Sequence, residues 1–172
     1  WQDVTARVRA EEAVRESEAR QRALAGSLDV ERELLATALE HLPVGVWIAD
    51  AHGHLVGKNP EADRIWAGDA PLVKSIGEYP AYLALDAGTG EPLAPEEYPV
   101  ARALLTGRPA GPVELRICRF DGTHRTVLGS AEPIRDRDGQ LAGAVGINLD
   151  ITGQKRAEAA LKESEERQAF LL

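Results

Sequence analysis

Hydrophobic and polar residues follow two different periods along the chain, one at its ends and one in its middle. From Ala6 to Leu42 there is no proline, and alanine, glutamate, arginine and leucine dominate, a pattern that favours one long helix. Within it, apolar and small polar positions recur at alternating steps of three and four residues, the heptad spacing of a coiled coil. Gly26 and Ser27 leave open whether this helix is continuous.

The apolar members of this heptad, with their counterparts near the C-terminus, form a surface called here the seam. They are Val14, Leu24, Leu28, Leu35, Leu42, Leu161 and Leu171. The leucines favour parallel pairing of the helices of two chains, and therefore a homodimer. The alternative is a solvated linker helix, because several positions between them are polar.

The middle of the chain alternates in the shorter period of strands. Residues 44–50 and 54–59 predict two strands, and Asn59-Pro60 predicts the start of a short helix to about residue 67. A glycine- and proline-rich stretch leads to a second helix over 99–105, ended by Gly107. Strands over 112–120, 123–134 and 140–150 follow, joined by tight turns. Two strands, a helical middle and three antiparallel strands predict an α+β fold.

One phrase occurs twice, as DVTARVRAEEAVRESEARQRAL from Asp3 and as DITGQKRAEAALKESEERQAFL from Asp150, and the copies are identical at more than half of their positions. Such similarity at one long spacing indicates a repeated domain boundary. The predicted organisation is the end of a preceding copy over 1–5, a coiled-coil connector over 6–41, a domain over 42–151 and a signalling helix over 152–172. Thr152 is expected to cap that helix, with Asp150 adding favourable negative charge at its start.

Composition narrows the function classes. The net charge of −8 argues against nucleic acid as a partner, because affinity for a polyanion comes largely from clustered lysine and arginine. No apolar run reaches the length of a membrane span, so we expect no membrane contact by this fragment and a cytoplasmic location. The single cysteine, Cys118, excludes an internal disulfide and a multi-cysteine metal site.

The stretch from Leu42 to Thr152 resembles a PAS domain. The resemblance rests on LPVGVWIADAHGHLVGKNPEADRIW, on turn glycines at 53, 122 and 139, on the ending SAEPIRDRDGQLAGAVGINLDIT and on the helix AEAALKESEERQ behind it. It implies a five-stranded antiparallel sheet that cups a small-molecule cavity, flanked here by the N- and C-terminal coiled-coil helices. It also implies a sensory and dimerisation module. The sequence contains no catalytic or metal-binding motif, so we expect no enzymatic activity of its own.

The resemblance further implies which residues form the inner face of the sheet. On the third and fourth strands these include Val113, Leu115 and Ala131. Together with residues of the helical middle, the candidates for the ligand cavity are Trp47, Ala49, Trp66, Tyr98, Arg102, Ile117, Val127, Gly129, Ala144, Gly146 and Asn148. A wider set of helical-middle residues adds Ile65, Tyr79, Tyr82 and Leu105.

Two polar candidates carry alternatives. Asn148 either bonds to protein or water, or contacts a ligand, since a buried amide needs partners. Arg102 either suits a carboxylate ligand or faces solvent.

The sequence names no cofactor. A photoactive flavin domain of this family needs a cysteine in the helical middle, and Cys118 instead lies on a strand with an outward-facing position predicted. A haem-binding member usually supplies a histidine ahead of the third strand, where residues 96–107 contain none. Both cofactors are therefore disfavoured, and a small-molecule ligand stays open.

The expected mechanism carries a signal from the cavity through the last strand and the signal junction, Asp150, Ile151 and Thr152, into the helix beyond. The apolar outer face of that strand is expected to be covered by the first helix or by a partner subunit. The expected output is a histidine kinase of a two-component system. The alternatives are a structural dimerising spacer without ligand, or a module of a diguanylate cyclase or chemoreceptor.

Overall fold

The computed structural model describes residues 2–169, with side chains from Val4 onward, and divides the chain into two compact units. The first is one helix, α1, over Gln2–His41, which runs unbroken through Gly26. Residues 2–5 lie in the first turn of this helix, the assignment of residues 1–5 to a preceding copy stays a prediction, and Trp1 lies outside the described residues. The repeated segment near the N-terminus is rich in the same helix-forming residues as the rest of α1, and no strand interrupts the helix there.

The seam residues of both terminal helices are exposed within a single chain. Val14, Leu24, Leu28 and Leu35 on α1 and Leu161 on the C-terminal helix are each more than half exposed. Leu42 is 38% exposed, and Leu171 lies outside the described residues. Pairing of these helices with a second chain therefore stays a prediction.

The second unit confirms the α+β prediction. Its elements are β1 Gly45–Asp50, β2 Leu55–Lys58, α2 Pro60–Trp66, β3 Ala84–Asp86, α3 Pro99–Thr106, β4 Ala110–Cys118, β5 His124–Arg135, β6 Leu141–Asp150 and α4 Thr152–Ala169, with short 3-10 turns at Ile76–Ala81 and Pro95–Glu97. The sheet has six strands rather than five. The extra strand, β3, is three residues long and lies in the glycine- and proline-rich stretch, where no alternating pattern marks it.

The strands pair in the order β2-β1-β6-β5-β4-β3, with each neighbouring pair antiparallel. Trp47 pairs with Gly146, Gly129 with Asn148 and Leu115 with Val127. Because residues paired across an antiparallel ladder share a face, this register confirms the inner face that the resemblance implies. That inner face carries the core.

Local chemistry explains how α2 and α3 begin and end. The side chain of Asn59 accepts a hydrogen bond from the backbone N–H of Ala62 at 3.1 Å, and Pro60 follows at the first helical position. The same buried oxygen accepts from the N–H of Val46 at 2.8 Å, which ties α2 to β1. Helix α3 ends at Gly107, whose φ of 62° is the left-handed conformation of a C-terminal cap.

The core lies between the inner face of the sheet and the helices and turns packed on it. Ala62 and Ile65 of α2 and Ala101 and Leu104 of α3 are all buried against it. The outer face is less covered: Val145 and Ile147 are half-buried and Leu149 is 40% exposed. What covers this face in the assembled protein stays a prediction.

Candidate functional site

A cavity of about 60 Å³ lies inside the second unit, between the sheet and the helical middle. Its lining is mostly aromatic and aliphatic: Trp47, Leu55, Trp66, Tyr79, Tyr82, Ala84, Tyr98, Pro99, Val100, Leu115, Ile117, Val127, Ser130, Gly146 and Asn148. The volume is several times the roughly 10–15 Å³ that a water molecule needs. It is far below the roughly 300–1,000 Å³ of pockets for drug-sized ligands. In this conformation the cavity therefore suits a molecule of only a few non-hydrogen atoms.

Glycines on the sheet decide how closely the helices approach. A methyl group on Gly146 would lie 2.4 Å from a methyl carbon of Val100 on α3. A methyl group on Gly129 would lie 3.1 Å from Leu115 and 3.4 Å from Pro99. Small residues on β5 and β6 thus let α3 pack closely, and the remaining space is the cavity.

The tyrosine hydroxyl groups around the cavity already make hydrogen bonds to backbone carbonyls of the protein. The hydroxyl of Tyr79 donates to the carbonyl of Gly53 at 3.0 Å, and that of Tyr98 donates to the carbonyl of Tyr82 at 2.6 Å. The hydroxyl of Tyr82 donates to the carbonyl of Pro71. These three bonds fix the walls and leave no tyrosine hydroxyl proton for a ligand.

The tyrosines are also held in their neutral form. Burial, helped by the negative charge of Asp50, raises the pKa of Tyr79 to about 12. Burial raises the pKa of Tyr82 further, with Asp63 and Asp69 adding to the effect. Burial likewise raises the pKa of Tyr98. No lysine, arginine, aspartate or glutamate among the described residues lines the cavity, so its interior is uncharged near neutral pH.

Three polar groups of the lining lack a hydrogen-bond partner among the described residues. The indole Nε1 of Trp66 is buried and makes no hydrogen bond to any described residue. The side-chain amide of Asn148 on β6 and the hydroxyl of Ser130 on β5, both half-buried, also bond to no residue in the described part of the chain. Leaving the fully buried Nε1 of Trp66 unpaired costs free energy, whereas the half-buried Asn148 and Ser130 are not fully enclosed; each of the three is a place for a ligand or water to bond.

The structure sorts the predicted cavity residues into three groups. Those that line the cavity are Trp47, Trp66, Tyr98, Ile117, Val127, Gly146 and Asn148, together with Tyr79 and Tyr82 of the wider set. Ala49, Ala144 and Gly129 are buried on the inner face but outside the lining, and Ile65 belongs to the core. Arg102 and Leu105 are exposed, because α3 turns Ala101, Ala103 and Leu104 toward the core instead. The role of the lining residues in binding a ligand stays a prediction.

Arg102 contributes to a different surface. It lines an open groove beside Asp86, Thr89 and Glu91, outside the cavity. A carboxylate contact from Arg102 inside the cavity is therefore not available in this conformation.

Sequence reasoning left several lining residues out of the candidate sets, namely Leu55, Ala84, Pro99, Val100 and Ser130. Ala84 belongs to the unpredicted strand β3, and Pro99 and Val100 begin α3. The only sequence feature that could have indicated Pro99 and Val100 as lining residues is their position in the first turn of an amphipathic helix.

The signal junction is built differently from the prediction. Thr152 does not cap α4 with its side chain: it is the first residue of the helix, and its hydroxyl oxygen accepts the backbone N–H of Thr126 on β5 at 2.9 Å. The carboxylate of Asp150 instead accepts the N–H of Thr152 at 2.9 Å. Ile151 is buried, and its carbonyl accepts the N–H of Lys155 at 2.9 Å. The start of α4 is therefore bonded to the sheet as well as to β6.

Two ion pairs reinforce this connection. Lys155 on α4 lies 2.6 Å from Glu114 on β4, and Arg125 on β5 lies 3.6 Å from Asp150. Lys155 is partly exposed, and its hydrogen bond to Glu114 is the main reason that its pKa is raised. The first turn of α4 is thus attached to β4 and β5 by charge and by hydrogen bonds.

Other site chemistry is limited in the described part of the chain. No group of three or more histidine, cysteine or acidic side chains is placed to hold a metal ion there. Cys118 is half-buried at the end of β4, outside the cavity lining. No helix over residues 2–169 combines the length and the apolar character needed to cross a membrane.

Comparisons with known proteins agree with this geometry. A family model described as the PAS fold matches residues 39–156, more than half of the chain. The chain therefore belongs to the PAS-fold family, a class of sensory domains. No curated protein matches the chain in sequence.

Solved structures show the same fold at low sequence identity. A PAS domain from Colwellia psychrerythraea is 20% identical with a TM-score of 0.52, over 70% of this chain and 97% of that one. The PAS domain of the fruit-fly ELK potassium channel is 12% identical with a TM-score of 0.54, over 70% and 96%. An RNA-binding light-oxygen-voltage receptor is 22% identical with a TM-score of 0.55, over 81% of this chain but only 38% of its own.

Proposed function

We propose that this domain senses a small uncharged molecule in its cavity and relays the change through the signal junction to α4. The observation that carries the proposal is the unpaired amide of Asn148. It lines the cavity on β6, two residues before Asp150. A ligand that bonds to Asn148 would act directly on the strand that leads into α4.

The lining defines the class of ligand. Burying a charge without a partner is costly, and no charged side chain lines the cavity, so the ligand is uncharged. The unpaired Nε1 of Trp66 is a donor, and the amide of Asn148 both donates and accepts. The ligand therefore has a small apolar body with at least one hydrogen-bond acceptor.

The relay follows the contacts of the junction. Displacement of β6 would act on the bonds that Thr152 and Ile151 make with Thr126, and on the pair of Arg125 with Asp150. The proposed readout is a shift of α4 between two arrangements, which Ser164 and Gln168 make accessible because they interrupt the leucine seam.

The proposed assembly is a cytoplasmic homodimer through the parallel helices, with a histidine kinase of a two-component system as output. The exposure of Leu24, Leu28 and Leu35 on α1 and of Leu161 on α4 supports dimerisation, because leucines at heptad spacing are stabilised by burial. Neither nucleic acid nor membrane is proposed as a partner of this chain.

A second candidate is a dimerising spacer that relays a signal sensed elsewhere and binds nothing. The small volume of the cavity, about 60 Å³, favours it. The two candidates differ in what Asn148 does, because in a spacer its amide is only a half-buried polar group beside a largely apolar core.

The test compares the purified chain with Asn148→Leu by native mass spectrometry and by chemical denaturation. Sensing predicts a small molecule bound at a fixed ratio to the wild-type chain and at least ten-fold lower occupancy in the variant. A spacer predicts no bound mass and a variant that is equally or more stable. Gln154→Leu, on exposed α4 outside the cavity, is the matched amide control and should leave occupancy unchanged.

A further inference from the structure

A second, open groove of about 300 Å³ lies where α4 leaves the sheet. It is lined by residues of β4, β5 and the first turns of α4: Arg116, His124, Arg125, Thr126, Thr152, Lys155, Arg156 and Ala159. Four of these eight residues are lysine or arginine, in a chain whose net charge is −8. The groove is therefore a local concentration of positive charge on an acidic protein.

The charges of the groove are only partly neutralised. Lys155 is paired with Glu114 at 2.6 Å and lies 3.8 Å from Glu158, and Arg125 lies 3.6 Å from Asp150. Arg116 and Arg156 make no ion pair or hydrogen bond with any side chain in the described part of the chain. Both guanidinium groups are therefore free of ion pairs; that of Arg116 extends toward Gly90, where its Nη2 lies 3.8 Å from the position of a Cβ there, and that of Arg156 lies on the helix.

The geometry suits an oxyanion. Guanidinium groups present planar pairs of N–H donors that match the oxygens of phosphate and carboxylate. The first turn of α4 forms one wall of the groove, but the carboxylate of Asp150 already accepts the N–H of Thr152 at 2.9 Å, so the side chains of Arg116, Arg125, Lys155 and Arg156 rather than the helix dipole supply the positive charge. A phosphate group matches best, because it offers oxygens to donors on both walls at once.

We propose that this groove binds a phosphate group, and that binding holds the first turn of α4 against β4 and β5. The ligand would bridge Arg116 on the sheet to Arg156 on the helix, beside the existing bridge from Lys155 to Glu114. Because the groove adjoins Thr126 and Thr152, its occupancy would stabilise one arrangement of the junction. The site is independent of the cavity, with which it shares no lining residue.

The experiment titrates the full chain with inorganic phosphate at an ionic strength held constant with sodium chloride, and follows backbone amide resonances by NMR. The expected result is saturable shifts centred on Thr126, Thr152 and Lys155. Arg116→Gln with Arg156→Gln should weaken binding at least ten-fold. Thermal unfolding of the variant confirms that the fold is retained.

The matched control is Arg108→Gln with Arg137→Gln, two exposed arginines outside the groove that remove the same charge. It should bind phosphate as tightly as the wild-type chain, and so should Asn148→Leu. Equal loss in both arginine pairs, or shifts that do not saturate, would overturn the proposal. The proposal would also be overturned if the wild-type chain bound no phosphate and the groove variant lost dimerisation. That result would indicate that the groove receives an acidic segment of a second copy instead.

Discussion

At the scale of single residues, the glycines of β6 show how the absence of a side chain can be a packing requirement. Gly143 is buried and pairs with Asp50 on β1 and Ile134 on β5. A methyl group there would lie 2.2 Å from the backbone carbonyl oxygen of Ala49. That oxygen belongs to the β1 backbone and cannot turn aside as a flexible side chain would, so the ladder itself would have to shift.

We therefore expect Gly143→Ala to destabilise the domain by about 1–3 kcal/mol through overpacking. The control is Gly153→Ala at the second residue of α4, where an added methyl group meets nothing within 4 Å. It should be neutral or stabilising by about 0.5 kcal/mol, because alanine favours a helix. Urea denaturation of both variants measures the difference; equal stabilities would contradict the packing argument.

At the scale of secondary-structure elements, the start of α4 depends on β5 as much as on β6. Thr126 contributes its N–H to the hydroxyl of Thr152 and its carbonyl to the N–H of Ile151. The carboxylate of Asp150 then completes the turn by accepting from Thr152. This arrangement makes β5 part of the path by which a change in the sheet reaches the helix.

Thr152→Val keeps the shape of the side chain and removes its oxygen, leaving the N–H of Thr126 without its partner. We expect a loss of about 1 kcal/mol in unfolding free energy, since the site is only half-buried. Amide hydrogen exchange should become faster in the first turn of α4 and at Thr126. Thr106→Val, which removes an exposed hydroxyl bonded to the carbonyl of Arg102, should change neither region; faster exchange there in both variants would argue against the connection.

At the scale of the whole molecule, α1 carries an apolar stripe that a single chain leaves exposed. Leu24, Leu28 and Leu35 lie at heptad positions and are each more than half exposed. Other exposed apolar residues of the same helix, Val8 and Val30, fall outside that spacing. The helix therefore offers both the leucines of the proposed dimer contact and exposed valines outside it, which can serve as a control.

Replacing Leu24 and Leu28 by serine should convert a dimer into a monomer or weaken it at least ten-fold, because their burial drives the pairing. Replacing Val8 and Val30 by serine removes exposed apolar surface outside the seam and should leave the dimer intact. Sedimentation velocity over a range of concentrations distinguishes these results. A wild-type chain that sediments as a monomer throughout would reject the seam as a dimer contact.

Much of the fold was predictable from local pattern. The strand alternation, the turn glycines, the Asn59-Pro60 start and the Gly107 end each act within a few residues, and the structure confirms them. The inner face was predictable as well, because a resemblance that places the strands also sets which residues share a face. Strand β3 was not, since three residues without alternation become a strand only by pairing with β4.

The features of the candidate sites also fall into those that the sequence predicted and those that only the structure showed. The sequence by itself determined the α+β order of elements, the small residues on β5 and β6 and the seam of α1, because these depend on periodicity and residue size. Only the tertiary structure decided that Arg102 is exposed, that the tyrosine hydroxyls are occupied and that Thr152 bonds to β5. It also decided that Arg116 and Arg156 share a groove. Each of these features depends on contacts between residues that are far apart in the sequence. The spacing of residues along the sequence does not specify such contacts.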